Sequence, residues 1–112
     1  MLLCIDVGNT NIKLGLFTGE EMRARWRIAT DRARLADEYA MLLINLLAAE
    51  GLYLGQVTGC ALSSVVPALT EVFSELSRRY LGRQALVLGK DTPTGMRVNT
   101  DNPAEVGSDL VA

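Results

Sequence analysis

Residues 1–17 read MLLCIDVGNTNIKLGLF, and this stretch decides the fold. Residues 2–7 and 12–17 are apolar runs rich in Leu, Ile and Val, and the four residues GNTN separate them. Two apolar runs of this length on either side of a short turn predict a strand, a turn and a second strand. A second turn, TGEE at residues 18–21, leads the chain onward.

A third strand is predicted by the alternation in residues 22–29, MRARWRIA. One set of positions is apolar (Met22, Ala24, Trp26 and Ile28), and the other set is mainly arginine. This pattern is typical of a half-exposed antiparallel strand. The arginine face is interpreted as a solvated or edge surface that resists aggregation, in preference to a phosphate-binding surface. Three consecutive strands make a meander.

The apolar spacing changes to three and four residues between 31 and 50, which predicts an amphipathic helix. Thr30 or Asp31 is expected to cap the start of this helix, and Gly51 to end it. Residues 57–67, VTGCALSSVVP, then predict a buried strand that stops at Pro67.

A second helical stripe follows and is closed by Gly82, and residues 84–89, QALVLG, predict a fifth strand. After a polar, turn-rich segment, another helix is expected to start with Asn102 as its N-cap. The order β-β-β-α-β-α-β resembles the ribonuclease H-like domain, which is also one lobe of the actin-like ATPases. The predicted fold is therefore α/β, a mixed five-stranded sheet in which a three-strand meander is followed by αβαβ, with helices packed on the sheet.

Composition limits the possible functions. The 112 residues are 49% apolar and 21% charged, which describes one domain with a core. The 11 basic and 13 acidic residues give a formal charge of -2, so there is no overall electrostatic attraction to nucleic acid or anionic lipid. The longest apolar stretch, YAMLLINLLAA, is shorter than the ~20 residues that a membrane span needs. We therefore expect a cytoplasmic protein with no nucleic-acid partner and no membrane.

The two cysteines, Cys4 and Cys60, lie far apart in sequence, each within an apolar run. Neither zinc-ligand spacing nor a secreted disulfide framework is present. Both are expected to be buried, reduced strand thiols.

The groups of DVGNTNIK, residues 6–13, suit phosphate chemistry. Asp6 ends the first strand, where its carboxylate can hold magnesium through the ion's water shell. Gly8 lets a phosphate approach the backbone, and the polar residues after it can form an anion-binding turn. Strand alternation places Lys13 on the same face as Asn11, and a lysine inside an apolar run is expected to be buried and to need a partner. The alternative is an ordinary hairpin turn, for which Gly and Asn supply positive φ angles.

Residues 5–17, IDVGNTNIKLGLF, together with residues 101–112, DNPAEVGSDLVA, resemble the type III pantothenate kinases, also called the Bvg accessory factor family. The resemblance runs over all 112 residues. It implies phosphorylation of the pantothenate hydroxyl by ATP to 4'-phosphopantothenate, the first step of coenzyme A synthesis. It also implies Mg²⁺, a monovalent cation (K⁺ or NH₄⁺) and a homodimer. The implied ATP phosphate segment consists of Asp6, Val7, Gly8, Asn9, Thr10, Asn11, Ile12 and Lys13.

The second motif implies the substrate side of the site. By resemblance, Asp109 is the base that takes the proton from the pantothenate hydroxyl, and Gly107, Ser108 and Asp109 bind the substrate. Leu110 stands where the family has an arginine, and Thr100 where several members have an aromatic residue. Both departures fall on the substrate side, so they bear on pantothenate specificity more than on ATP binding.

Family members are more than twice as long as this chain, so the resemblance implies one N-terminal phosphate-binding lobe. Residues 1–101 would be its core, residues 102–112 would start the next helix, and the second lobe would be absent. The chain alone is therefore expected to have no kinase activity. Two other functions stay open: an ATP-binding regulator of the accessory-factor type, for which Leu110 is the main argument, and an interaction module.

Overall fold

The computed structural model describes residues 1–89, which form a five-stranded mixed sheet and two main helices. In chain order the elements are β1 (Leu2–Val7), β2 (Asn11–Thr18), β3 (Glu21–Ala29), α1 (Ala36–Ala49), β4 (Gly59–Ser64), α2 (Pro67–Leu76) and β5 (Leu86–Leu88). A 3-10 turn at Leu54–Gln56 precedes β4, and a π-helical turn at Ser77–Leu81 extends α2. The predicted order β-β-β-α-β-α-β is confirmed. The helix expected from Asn102 lies outside the described residues.

The strand order in the sheet is β3-β2-β1-β4-β5. Antiparallel pairing of β1 with β2 and of β2 with β3 makes the predicted meander. β4 pairs with β1 and β5 with β4, both in parallel. In register, Ile5 lies between Leu14 and Leu62, and all three side chains are buried. One face of the sheet is thus continuous and apolar.

The helices cover that apolar face. Tyr39 of α1 and Phe73 of α2 are each 2% exposed, and their ring centroids lie 4.7 Å apart. They belong to the same core cluster as the inward-facing residues of β1, β2 and β4. Burial of this cluster is the main source of stability, because apolar area removed from water stabilises by about 25 cal/mol per Å².

The other face of the sheet is open in the described part of the chain. It is apolar at one end, where Leu2, Met22 and Leu86 are 42%, 46% and 44% exposed. The expected position of Met22 on the core side of β3 is wrong. A bulge between Leu16 and Phe17 pairs Met22 with Phe17, and this moves its side chain to the open face.

β3 is an edge strand, as its arginine face suggested. Arg23, Arg25 and Arg27 are exposed, while Trp26 and Ile28 are half-buried against the core. Charged side chains on an edge strand hinder pairing with another chain.

The ends of the helices follow the sequence only in part. Neither Thr30 nor Asp31 caps α1, because the chain makes a separate loop first. The helix begins after Leu35, whose backbone N–H donates to Glu38 Oε1 at 2.8 Å. The side chain of Leu35 has no acceptor and makes no capping hydrogen bond. The carboxylate of Glu38 therefore supplies the side-chain part of the cap.

The C-terminal signals are confirmed. Gly51 has φ +74, and Leu52 N–H donates to Leu47 C=O at 2.9 Å, which defines a Schellman motif after α1. Gly82, with φ +67, likewise closes the π-helical turn.

No helix within residues 1–89 combines the length and the apolar character needed to cross a bilayer.

Both cysteines are free thiols on strands, but they lie on opposite faces of the sheet. Cys60 is buried on the core face beside Leu3, whereas Cys4 lies on the open face and is only partly buried. Burial raises the pKa of Cys4 to about 12 and that of Cys60 to about 11.

Both thiols are expected to resist alkylation by iodoacetamide at pH 8 in the folded chain and to react readily in urea, since the thiolate is the nucleophile. Because the folded pKa values lie above the unfolded value of 9.0, the thiols should also contribute stability below pH 9 that is lost as the pH rises toward 11–12. Rapid labelling of Cys60 under native conditions, followed by mass spectrometry, would contradict its burial.

Candidate functional site

The predicted phosphate segment lies where β1 ends and β2 begins. Val7 is the last residue of β1 and Asn11 the first of β2, so Gly8, Asn9 and Thr10 form the connecting turn. Gly8 N–H donates to Asn11 C=O at 2.9 Å. We call residues 8–11 the phosphate turn. Asn9 and Thr10 are exposed, and their donors are accessible to a ligand.

A close backbone approach favours glycine in the turn. Gly8 does not have a positive φ, in contrast to Gly19 in the next turn, where φ is +61. A Cβ on Gly8 would lie 3.1 Å from Asn11 O, which is tighter than most Cβ contacts, so the backbone would have to shift by a few tenths of an ångström. The positive-φ hairpin interpretation therefore does not explain Gly8. Because Gly8 has no side chain, its backbone approaches that of Asn11 closely.

The end of β3 holds the turn in place. Thr30 Oγ1 donates to Gly8 C=O at 2.8 Å, and Thr30 N–H donates to Thr10 C=O at 2.9 Å. Asn11 Nδ2 donates to Thr10 C=O as well, at 3.0 Å. Carbonyl oxygens repel an anion, and here three of them, those of Gly8, Thr10 and Asn11, already accept hydrogen bonds. This arrangement favours a role of the turn as an anion site.

Beside the turn, four polar side chains form a row across the open face. Asp6 of β1 is in register with Lys13 of β2 on one side and Ser63 of β4 on the other, and Lys13 is in register with Arg27 of β3. Neighbouring strands lie about 4.8 Å apart, so these groups are close neighbours. The row combines one carboxylate with two cations next to the phosphate turn.

The expectation that Lys13 is buried is wrong. Its side chain is exposed, because alternation in β2 points it to the open face while Ile12 and Leu14 enter the core. No burial cost therefore demands a partner for Lys13. The phosphate interpretation depends instead on its position beside Asp6 and Asn11.

Two residues of the predicted segment can contribute only backbone groups. The side chains of Val7 and Ile12 are both 0% exposed. The C=O of Val7 also accepts the N–H of Val65 at 3.0 Å. These two residues anchor the turn to the core, while the side chains of Asp6, Asn9, Thr10, Asn11 and Lys13 remain near the surface.

Sequence reasoning missed two residues of this site, Thr30 and Arg32. Thr30 was expected at a helix cap, and it binds the turn instead. Arg32 Nη2 donates to Asn9 Oδ1 at 2.9 Å. Their proximity to the turn depends on the register of β3 against β2, which no local pattern reveals.

The residues predicted on the substrate side, Gly107, Ser108 and Asp109, lie outside the described residues, as do Thr100 and Leu110. Within residues 1–89, no three potential metal ligands of the His, Cys, Asp or Glu types gather in one place. The exposed carboxylate of Asp6 fits the way Mg²⁺ is usually held beside nucleotides, by one or two carboxylates, phosphate oxygens and waters.

Solved structures share this fold. The ROK hexokinase from Thermus thermophilus superposes with a TM-score of 0.55 at 14% identity, over 78% of this chain and 34% of that chain. At this identity the likeness concerns the fold alone. The meander followed by αβαβ is the ribonuclease H-like fold of the actin-like ATPases and sugar kinases.

Sequence comparison defines the family. The model of the type III pantothenate kinases matches residues 2–112. Type III pantothenate kinases of Moorella thermoacetica and Roseiflexus sp. strain RS-1 are each 50% identical to this chain, over 99% and 100% of it. The chain belongs to the type III pantothenate kinase family. It spans 44% of the length of each of these two relatives.

Proposed function

We propose that this chain supplies the phosphate-binding lobe of a kinase that transfers the γ-phosphoryl group of ATP to the hydroxyl of pantothenate. The observation that carries the proposal is the phosphate turn. Thr30 engages its carbonyl oxygens, Asn9 and Thr10 are exposed, and Lys13 stands beside it. Phosphoryl transfer asks a protein mainly for positioning and for stabilisation of charge on the phosphate oxygens, and this turn can provide both.

Each group has a distinct task in this proposal. The turn receives the phosphate chain of ATP, and the Lys13 ammonium offsets its negative charge. Asp6 holds the hydrated Mg²⁺, which lowers the charge repulsion at the phosphates when bound. Asp109 takes the proton from the acceptor hydroxyl as the new bond to phosphorus forms.

Other parts of the proposal follow the family resemblance. They are a monovalent cation, K⁺ or NH₄⁺, a homodimer, and a cytoplasmic location. The resemblance also implies residues 1–101 as the core of the lobe and residues 102–112 as the start of the next helix. A second lobe completes the nucleotide site.

A chimaera tests the proposed function. Residues 1–112 of this chain replace the matching N-terminal residues of the Moorella thermoacetica relative, and phosphorylation of labelled pantothenate by ATP is measured. We expect turnover by the chimaera and none by the 112-residue chain alone, because transfer requires a nucleotide held between two lobes. A folded chimaera that binds ATP and leaves pantothenate unphosphorylated would favour the regulator function, with Leu110 in place of the family's arginine as its cause.

Replacing Lys13 with alanine in this chimaera is expected to weaken ATP binding about tenfold to a hundredfold, because a charge-assisted contact to phosphate contributes about 1.5–3 kcal/mol. Calorimetric titration with ATP measures the effect. Lys13 is exposed, so the thermal unfolding midpoint should stay unchanged. Arg23→Ala is the matched control, since Arg23 is an exposed cation near the opposite end of the sheet. Equal ATP affinities of Lys13→Ala and Arg23→Ala would show that Lys13 does not contact the phosphates.

A further inference from the structure

Arg32 lies in a loop that is anchored on both sides. Before it, Thr30 is bonded to Gly8 and Thr10 of the phosphate turn. Asp31 C=O accepts the hydroxyl of buried Tyr39 at 2.7 Å, and Asp31 Oδ1 accepts the N–H of Ala33 at 2.9 Å. The backbone before Arg32 is therefore tied to the turn and to the core, and the backbone after it is bonded locally to Asp31.

From this position the Arg32 guanidinium donates to Asn9 Oδ1 at 2.9 Å. A guanidinium group has only donors, so the Asn9 amide must turn its oxygen toward Arg32. The Nδ2 group, with its two N–H donors, then points the other way. Without Arg32, the exposed Asn9 amide is able to rotate and present its oxygen, which repels a phosphate.

The charge of Arg32 is also available. Within residues 1–89, ion pairs join Arg34 to Asp31, and Arg79 to Asp37 and Glu75, while Arg32 has no carboxylate partner. Arg32 is exposed, so it is not needed to fill the core. Arg32 thus differs from Arg34 and Arg79, which are held by carboxylates, and its bond to Asn9 distinguishes it from the other exposed arginines of residues 1–89.

We propose that Arg32 is a positioning residue of the phosphate turn, which orients the Asn9 amide so that its N–H groups donate to a nucleotide phosphate. This inference rests on the proposed function, because it assumes that the turn binds phosphate. It adds a second loop, residues 30–32, to the nucleotide site.

The test uses the ¹⁵N-labelled 112-residue chain, titrated with ATP and separately with tripolyphosphate while the amide signals of residues 8–11 and the Asn9 side chain are followed by NMR. Four variants are compared: Arg32→Gln, Asn9→Ala, the double variant, and Arg23→Gln as the control. We expect Arg32→Gln to weaken binding of both ligands about fivefold, the effect of losing one hydrogen bond. The double variant should bind no more weakly than Asn9→Ala, because Arg32 acts through Asn9.

The outcomes separate the possibilities. If Arg32→Gln weakens binding equally with and without Asn9, Arg32 acts by charge or direct contact, and the positioning role is overturned. Wild-type affinity and an unshifted Asn9 side-chain signal in Arg32→Gln would overturn it as well. If the wild-type turn signals do not move with either ligand and the chimaera does not bind ATP either, the proposed phosphate site itself fails. Unchanged signals elsewhere in each variant spectrum verify that the fold is intact.

Discussion

Replacing Phe73 with alanine is expected to lower the free energy of unfolding by about 3–5 kcal/mol, the usual range for truncating a fully buried aromatic side chain. Phe73 is 2% exposed and packs against Tyr39, so its removal leaves a cavity between α1 and α2. Small domains are stable by only about 5–15 kcal/mol, and this loss is a large part of that. Urea unfolding of the 112-residue chain, followed by circular dichroism, measures it.

Phe73→Leu is the control for that variant. Leucine keeps most of the apolar volume and loses the ring contact, so we expect a loss below about 1.5 kcal/mol. The larger loss in Phe73→Ala should also loosen the proposed nucleotide site, because Tyr39 binds Asp31 in the loop that carries Arg32. A loss of less than about 1 kcal/mol in Phe73→Ala would mean that this core is not closely packed.

Replacing Asp109 with asparagine in the chimaera is expected to reduce pantothenate phosphorylation about 10²–10⁴-fold, the usual contribution of a general base. The amide keeps the size of the carboxyl group but does not accept the hydroxyl proton. ATP affinity should stay nearly unchanged, since Asp109 is proposed to act on the acceptor. Steady-state turnover and calorimetric ATP binding, measured on the same preparation, separate the two effects.

Glu20→Gln is the control for Asp109→Asn, because it removes a negative charge in the exposed turn between β2 and β3. It should turn over like the parent chimaera. Wild-type turnover of Asp109→Asn would show that the base is wrongly assigned. The regulator function, marked by Leu110, would then become the stronger proposal.

Much of the fold follows from local patterns. The period of two in residues 22–29 predicts β3, and the spacing of three and four residues predicts α1 and α2. Gly51 and Gly82 end helices because both adopt a positive φ that other residues rarely accept. The turn between β1 and β2 was also placed correctly, since polar residues interrupt two apolar runs there, while its role in phosphate binding stays a prediction.

Other predictions were wrong, and each error has a physical cause. Lys13 was expected to be buried because its neighbours in sequence are apolar, but the outer face of β2 is open. Met22 was expected on the core face, but a bulge shifts it to the other side. Thr30 and Asp31 were expected to cap α1, and the loop to Leu35 intervenes. In all three cases the outcome depended on a neighbouring element.

The sequence alone determined the order of the elements, the alternation of β2 between the core and the open face, and the position of the turn between β1 and β2, because each depends on residues close together in the chain. Only the tertiary structure placed Thr30 and Arg32 on that turn. Thr30 and Gly8 are separated by 22 positions in the sequence, and Arg32 and Asn9 by 23. They exist because β3 is in register with β2 and because Tyr39 in the core holds the loop after it.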